Sequence, residues 1–194
     1  MSKYTNDEDV LVAGILHDVI EDTEYNLEEL ENDFGENVSR MVYGVTEPKF
    51  DNAGNKLSWK TRKQAYLENL KEDSEGSMLI CVADKICNLR SLAKDHSVYD
   101  EDLWEMLTAS YEYKMWYHKQ VVEILENRIS NKVALYDLKH TLDNTKVEIE
   151  GQENSEKYYG FNRYPRFVVN ALNSLRLSDL FARILRYGKR NTTN

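Results

Sequence analysis

Val10-Leu11-Val12-Ala13-Gly14-Ile15-Leu16-His17-Asp18-Val19-Ile20-Glu21-Asp22-Thr23 sets one imidazole and three carboxylates at the end of an apolar run. Residues 10–16 are apolar around the whole helical circumference, the pattern of a buried helix rather than a solvated one. With a 3.6-residue period, His17 and Glu21 stack one turn apart, as do Asp18 and Asp22, so four ionisable groups share one small region. Such a cluster repels itself unless something compensates it. Buried charges persist when they are paired or when they coordinate a metal, and a divalent cation is the most economical compensation here.

A second stretch answers the first. Met78-Leu79-Ile80-Cys81-Val82-Ala83 is an apolar helical run that delivers Asp84 and, one turn later, Asn88. Brought together across a helix pair, His17, Asp18 and Asp84 supply mixed imidazole and carboxylate ligands, a set that suits Mn2+, iron or another hard-to-borderline divalent ion. Glu21 and Asp22 are then left beside the metal, where their task is to orient and deprotonate a water that the ion has acidified. That chemistry describes a hydrolase.

Longer motifs carry a resemblance. Leu16-His17-Asp18-Val19-Ile20-Glu21-Asp22-Thr23, Asp33-Phe34-Gly35, Val42-Tyr43-Gly44-Val45-Thr46-Glu47, Trp59-Lys60-Thr61-Arg62-Lys63 and Ala83-Asp84-Lys85-Ile86-Cys87-Asn88-Leu89-Arg90 follow one another in this order. In order and spacing the series resembles the HD-domain metal-dependent phosphohydrolases, in the branch of the (p)ppGpp hydrolase domains of Rel/Spo-type enzymes, over residues 8–120. The resemblance implies an all-α HD fold, with His17, Asp18 and Asp84 as metal ligands, Glu21 and Asp22 positioning the attacking water, and Asn88 holding the nucleotide. The implied reaction is manganese-dependent hydrolysis of the 3′-pyrophosphate of a guanosine nucleotide. The family pattern also has a further ligand histidine upstream of the His-Asp pair, and residues 1–16 hold none. Three explanations stand side by side: a late start, a rebuilt site, and a catalytically silent HD-fold protein that binds a nucleotide or a partner.

After the turn-rich loop Pro48–Leu57, Lys60, Arg62 and Lys63 form a basic group suited to substrate phosphates if the fold brings their helix to the mouth of the site. Lys85 and Arg90 are open to the same two readings, phosphate contact or solvated face. The segment Trp104 to Leu125 carries a broad apolar face at helical spacing, so core packing is preferred over purine stacking. The family has a Lys-x-x-Tyr-Tyr-like segment there, seen as Lys114-Met115-Trp116-Tyr117, which favours a scaffold with a contact at the rim. His96, His118 and His140 read as structural histidines.

Composition fits a soluble, cytoplasmic protein. The chain has 194 residues and a formal net charge of −9, with no apolar run long enough to span a bilayer and a polar N-terminus unlike a signal sequence. Cys81 and Cys87 are too few for a disulfide or zinc framework, and both are read as lining the core. Helices are expected over 7–21, 27–34, 36–46, 58–72, 76–94, 100–128, 131–142, 165–176 and 179–187, with Asn26 as a cap and Gly35 as a stop. The division is an HD domain over 1–130 and a C-terminal helical extension over 131–194, joined through a polar connector from Asp143 to Glu156 with a short extended piece at Val147–Ile149. From Lys157 onward eight Lys or Arg face the single Asp179. Docking of this basic amphipathic tail on the acidic body or on a second copy is preferred, because its apolar faces need burial; nucleic-acid binding is not favoured.

Overall fold

The computed structural model describes residues 1–153, and the expected helices at 165–176 and 179–187 lie outside them. Nine helices occur among the described residues: α1 (Glu8–Leu16), α2 (Val19–Asp22), α3 (Leu27–Phe34), α4 (Glu36–Val45), α5 (Trp59–Leu70), α6 (Glu75–Tyr99), α7 (Asp102–Met106), α8 (Tyr111–Arg128) and α9 (Lys132–Glu153). No strand occurs there; an isolated bridge between Phe50 and Lys56 closes the loop after α4.

Local chemistry sets several of the ends. Asp7 caps α1 by accepting from the amides of Asp9 and Val10. Asn26 and Glu29 form a reciprocal capping box that starts α3, and Gly35, at φ +87°, stops it as expected. Ser58 and Ser74 cap α5 and α6 through the amides of Thr61 and Ser77.

The long helix α6 is the axis of the fold. It packs against α1, α4, α7, α8 and α9, and it buries Met78, Ile80, Cys81, Val82, Leu89 and Leu92. Gly76, at its start, leaves room for the sulfur of Met41, which would stand 2.3 Å from an added Cβ and would have to shift to admit one. At the junction into α9, the Glu75 carboxylate accepts from the amides of Ser130 and Asn131 and from the Ser130 hydroxyl.

Four expectations are corrected. The helix expected over 7–21 is broken at His17 and Asp18, and α1 is not buried all round: Val10, Ala13 and Leu16 face the core while Ile15 is 56% exposed. The helix expected over 100–128 is two, α7 and α8, interrupted where Leu107 turns extended. The connector, as far as Glu153, and the extended piece at Val147–Ile149 are helix instead. Leu138, Leu142, Thr145 and Ile149 continue the helical spacing and are buried, and the Thr145 hydroxyl donates to the Leu89 carbonyl of α6 at 3.4 Å. The extended preference of Val147 and Ile149 is weak and yields to that packing. Finally, Cys81 lines the core but Cys87 is exposed, one helical face away.

Candidate active site

The break between α1 and α2 builds the site. The Nδ1–H of His17 donates to the Gly14 carbonyl at 3.0 Å, which holds the ring and turns Nε2 toward the carboxylates. Nε2 then lies 3.1 Å from Asp18 Oδ2 and 3.7 Å from Asp84 Oδ1, which α6 delivers from the opposite wall. His17 therefore stands between two carboxylates, one from its own turn and one from α6. Without a cation, burial opposes a charge on His17, but hydrogen bonds to Asp18 and Asp84 and their negative charges dominate and raise its pKa to about 10. An imidazole with two carboxylates is a donor set for a hard-to-borderline divalent ion.

Around these donors is a cavity of about 150 Å3, lined by His17, Asp18, Glu21, Val45, Glu47, Lys63, Tyr66, Asp84, Lys85 and Asn88. Asp84 is held at both oxygens: Lys85 Nζ stands 2.5 Å from Oδ2, and the Asn88 amide donates to Oδ1 at 2.8 Å. Glu21 accepts from the backbone amide of Glu47 at 2.7 Å. Burial raises the Glu21 carboxyl pKa against the pull of that hydrogen bond. A carboxylate made more basic and aimed into the cavity is suited to take a proton from water.

The other expected residues divide. Lys63 reaches the cavity, paired with Glu47 at 3.0 Å. Arg62 is turned to the same Glu47, at 3.6 Å, and does not line the cavity. Lys60 is exposed and lies over the Tyr113 ring, 5.7 Å from its centroid. Asp22 also stays off the cavity wall; its carboxylate lies 3.9 Å from Lys49, whose ammonium donates to the Glu21 carbonyl. Arg90 lies over a different groove, between α6 and α9.

Two contributors carried no sequence signal strong enough to single them out. Glu47 sits in the quoted Val42–Glu47 motif, but a lone acid before a proline gives no hint that its amide anchors Glu21. Lys49 falls in the loop read as exposed turn.

The family model for the HD domain matches residues 1–109, more than half of the chain. The chain belongs to the HD domain family. Among curated HD relatives, the guanosine-3′,5′-bis(diphosphate) 3′-pyrophosphohydrolase MESH1 of Drosophila melanogaster is 42% identical over 86 residues, 44% of this chain and 45% of that protein. The human MESH1 is 41% identical over 83 residues, 43% of each chain. The matched stretch thus spans less than half the length of these relatives. Among solved structures, lmo0812 of Listeria monocytogenes EGD-e superposes with a TM-score of 0.63 at 26% identity, covering 77% of this chain and 93% of that one. A metazoan ortholog of SpoT that hydrolyses ppGpp superposes with a TM-score of 0.53 at 30% identity, covering 75% and 71%.

Of the three histidines read as structural, His140 is exposed while His96 and His118 are buried. Burial, then the charge of Lys85, lowers the His118 pKa from 6.5 to about 3. Between those values the unfolded imidazole is protonated and the folded one is not. The unfolded state binds the extra proton, so stability contributed above pH 6.5 is lost as pH falls toward 3. The loss approaches about 1.4 kcal/mol per pH unit inside that window. Urea unfolding at about pH 7 and about pH 5 checks it: His118→Asn is expected to lose less stability between the two than the unaltered chain, and an equal loss would refute it.

Proposed function

We propose that this chain hydrolyses the 3′-pyrophosphate of a guanosine polyphosphate of the (p)ppGpp type, releasing pyrophosphate, with Mn2+ held by His17, Asp18 and Asp84, in the cytoplasm. The observation that carries the reading is His17 set between Asp18 and Asp84, beside a basic Glu21, in one cavity. The named activity of the MESH1 relatives and of the SpoT ortholog supports the substrate class.

A divalent ion bound there would supply Lewis acidity, acidifying a water and drawing charge from the phosphoryl oxygens. The protein's own groups do the rest. Glu21, fixed by the Glu47 amide, takes a proton from the attacking water. Asp22 and Lys49 hold the end of α2 and so keep Glu21 on line. Lys85 and Asn88 pin the Asp84 carboxylate, and Asn88 and Lys63 line the wall where the substrate's phosphates would lie; Lys60 and Arg62, turned elsewhere, would act only if they moved. In this reading residues 1–130 carry the chemistry and 131–194 are an extension to it.

Pyrophosphate release from ppGpp with added Mn2+, compared between the chain and Asp84→Ala, tests this. Turnover is expected, and Asp84→Ala is expected to abolish it along with Mn2+ binding measured by calorimetry. Folded protein that binds Mn2+ but releases no pyrophosphate would overturn the assignment of substrate; folded protein that binds no Mn2+ would overturn the metal site itself.

A further inference from the structure

The end of the bundle where α6 stops and α7 and α8 follow is strongly acidic. Asp95, Asp100, Glu101, Asp102, Glu105 and Glu112 fall between residues 95 and 113, and that stretch holds no Lys or Arg. All of these acids except the half-buried Asp100 are exposed. Large apolar side chains are exposed in the same stretch, Val98 at 50% and Met106 at 38%, and Trp104 is half-buried there. Apolar groups interleaved with one sign of charge mark an interaction surface.

The course of α9 brings the rest of the chain to this end. Thr145 lies against Leu89 of α6, and by Glu150 the helix has reached the start of α8, where the Tyr111 hydroxyl donates to the Glu150 carboxylate at 2.7 Å. Glu153, where α9 ends, is three positions on, about 5 Å of helix. Residues 154–164 span at most about 36 Å, so the segment from Lys157 onward starts beside the acidic end and stays within its reach. That segment has eight Lys or Arg against Asp179 alone, and its apolar positions, among them Phe167, Leu172, Phe181 and Leu185, need a surface to cover.

Two rival faces fit less well. The outer side of α9 exposes Val133, Tyr136 and Val147, but Lys132, Lys139 and Lys146 on the same helix would repel a basic segment. The acids Glu28, Glu31 and Asp33 lie on α3, which packs on α4, whereas α9 packs on α6 and α8.

We propose that the basic segment from Lys157 to Arg190 docks, within the same chain, on the acidic end formed by the α6 C-terminus, α7 and the start of α8. Its apolar positions cover Val98 and Met106, and its arginines face Asp102, Glu105 and the neighbouring acids.

Limited trypsin digestion of the full chain tests this. Cleavage beyond Lys157 is expected to be slow at low salt and to quicken at about 1 M NaCl, which screens exposed charge pairs. The double variant Asp102→Asn, Glu105→Gln adds no cleavage site and is expected to quicken it about 5-fold at low salt, the scale of two exposed ion pairs, while Glu28→Gln, Glu31→Gln on α3 leaves it unchanged. Fast cleavage in the unaltered chain, or equal effects of the two double variants, would overturn the docking. A carbodiimide, which joins an amine to a carboxylate in contact with it, locates the segment: Lys189 is expected to couple to an acid between residues 95 and 112. Coupling to α3 overturns the face chosen, and covalent dimers joined through Lys189, with protection that rises with protein concentration, overturn docking within one chain in favour of a second copy.

Discussion

Glu21→Gln is expected to slow turnover by about 100- to 10,000-fold while Mn2+ still binds, the usual range for removing a positioned general base. The geometry separates the two effects. Glu21 lines the cavity but pairs with none of His17, Asp18 and Asp84, and it is anchored by the Glu47 amide, from which a glutamine oxygen can still accept. The substitution therefore removes basicity and keeps shape. Asp22→Asn is expected to cost less, because Asp22 is off the cavity wall and faces Lys49. Metal titration and pyrophosphate release on the same preparations decide the matter. If Glu21→Gln lost Mn2+ affinity in step with turnover, Glu21 would be a ligand and not the proton acceptor; if Asp22→Asn were the more damaging, the two roles would have to be exchanged.

Lys85→Met is expected to destabilise the fold by about 3–5 kcal/mol, the cost of leaving one member of a buried ion pair alone. The Lys85 ammonium is 2.5 Å from Asp84 Oδ2 and lies over the faces of Tyr66 and Tyr117, 4.9 and 5.5 Å from their centroids. Burial alone would strip its proton; the charge of Asp84 overrides that and raises the Lys85 pKa well above the ordinary value. Asp84 is lowered in turn: burial resists, but Lys85 and His17 win. Removing the cation leaves Asp84 and Asp18 facing each other across His17. Adding Asn at Asp84 should recover part of the loss, because the amide leaves no orphaned charge. Urea unfolding of the two single variants and the double variant measures the coupling. Purely additive losses would show that Lys85 stabilises by filling space.

Much of this was legible in sequence because it rests on periodicity. The apolar runs before His17 and Asp84 announced two core-packed helices carrying these polar groups, and the groups do meet. Asn26 and Gly35 were readable because capping chemistry is local. What escaped depends on contacts distant in sequence. The helix break at His17 is invisible to a pattern that continues through it, since the Gly14 carbonyl is taken by a side chain rather than by a backbone amide. The straight run of α9 past Asp143 was hidden because its polar residues suggest a linker, and only the neighbouring face of α6 gives Thr145 and Ile149 somewhere to go. Lys60, Arg62 and Lys63 look alike as a charge group, yet three different helical directions send them to Tyr113, Glu47 and the cavity.

The uninterrupted course of α6 also sets where the chain can tolerate changes of length. An insertion of one residue between Ser77 and Asp84 would turn Asp84 by about 100° about the helix axis and carry it away from His17. It would also move Asn88, the α8-facing stripe and the seat of α9 in the same step. The loop around Asp51–Asn55 is closed by its own hydrogen bonds to the Asp51 carboxylate and touches the site only through residues before it. Lengthening that loop adds little beyond closure entropy, about 0.6 kcal/mol for each doubling. Homologous chains that keep the metal chemistry should therefore vary in length at this turn and hold a fixed count of residues from Ser77 to Asn88.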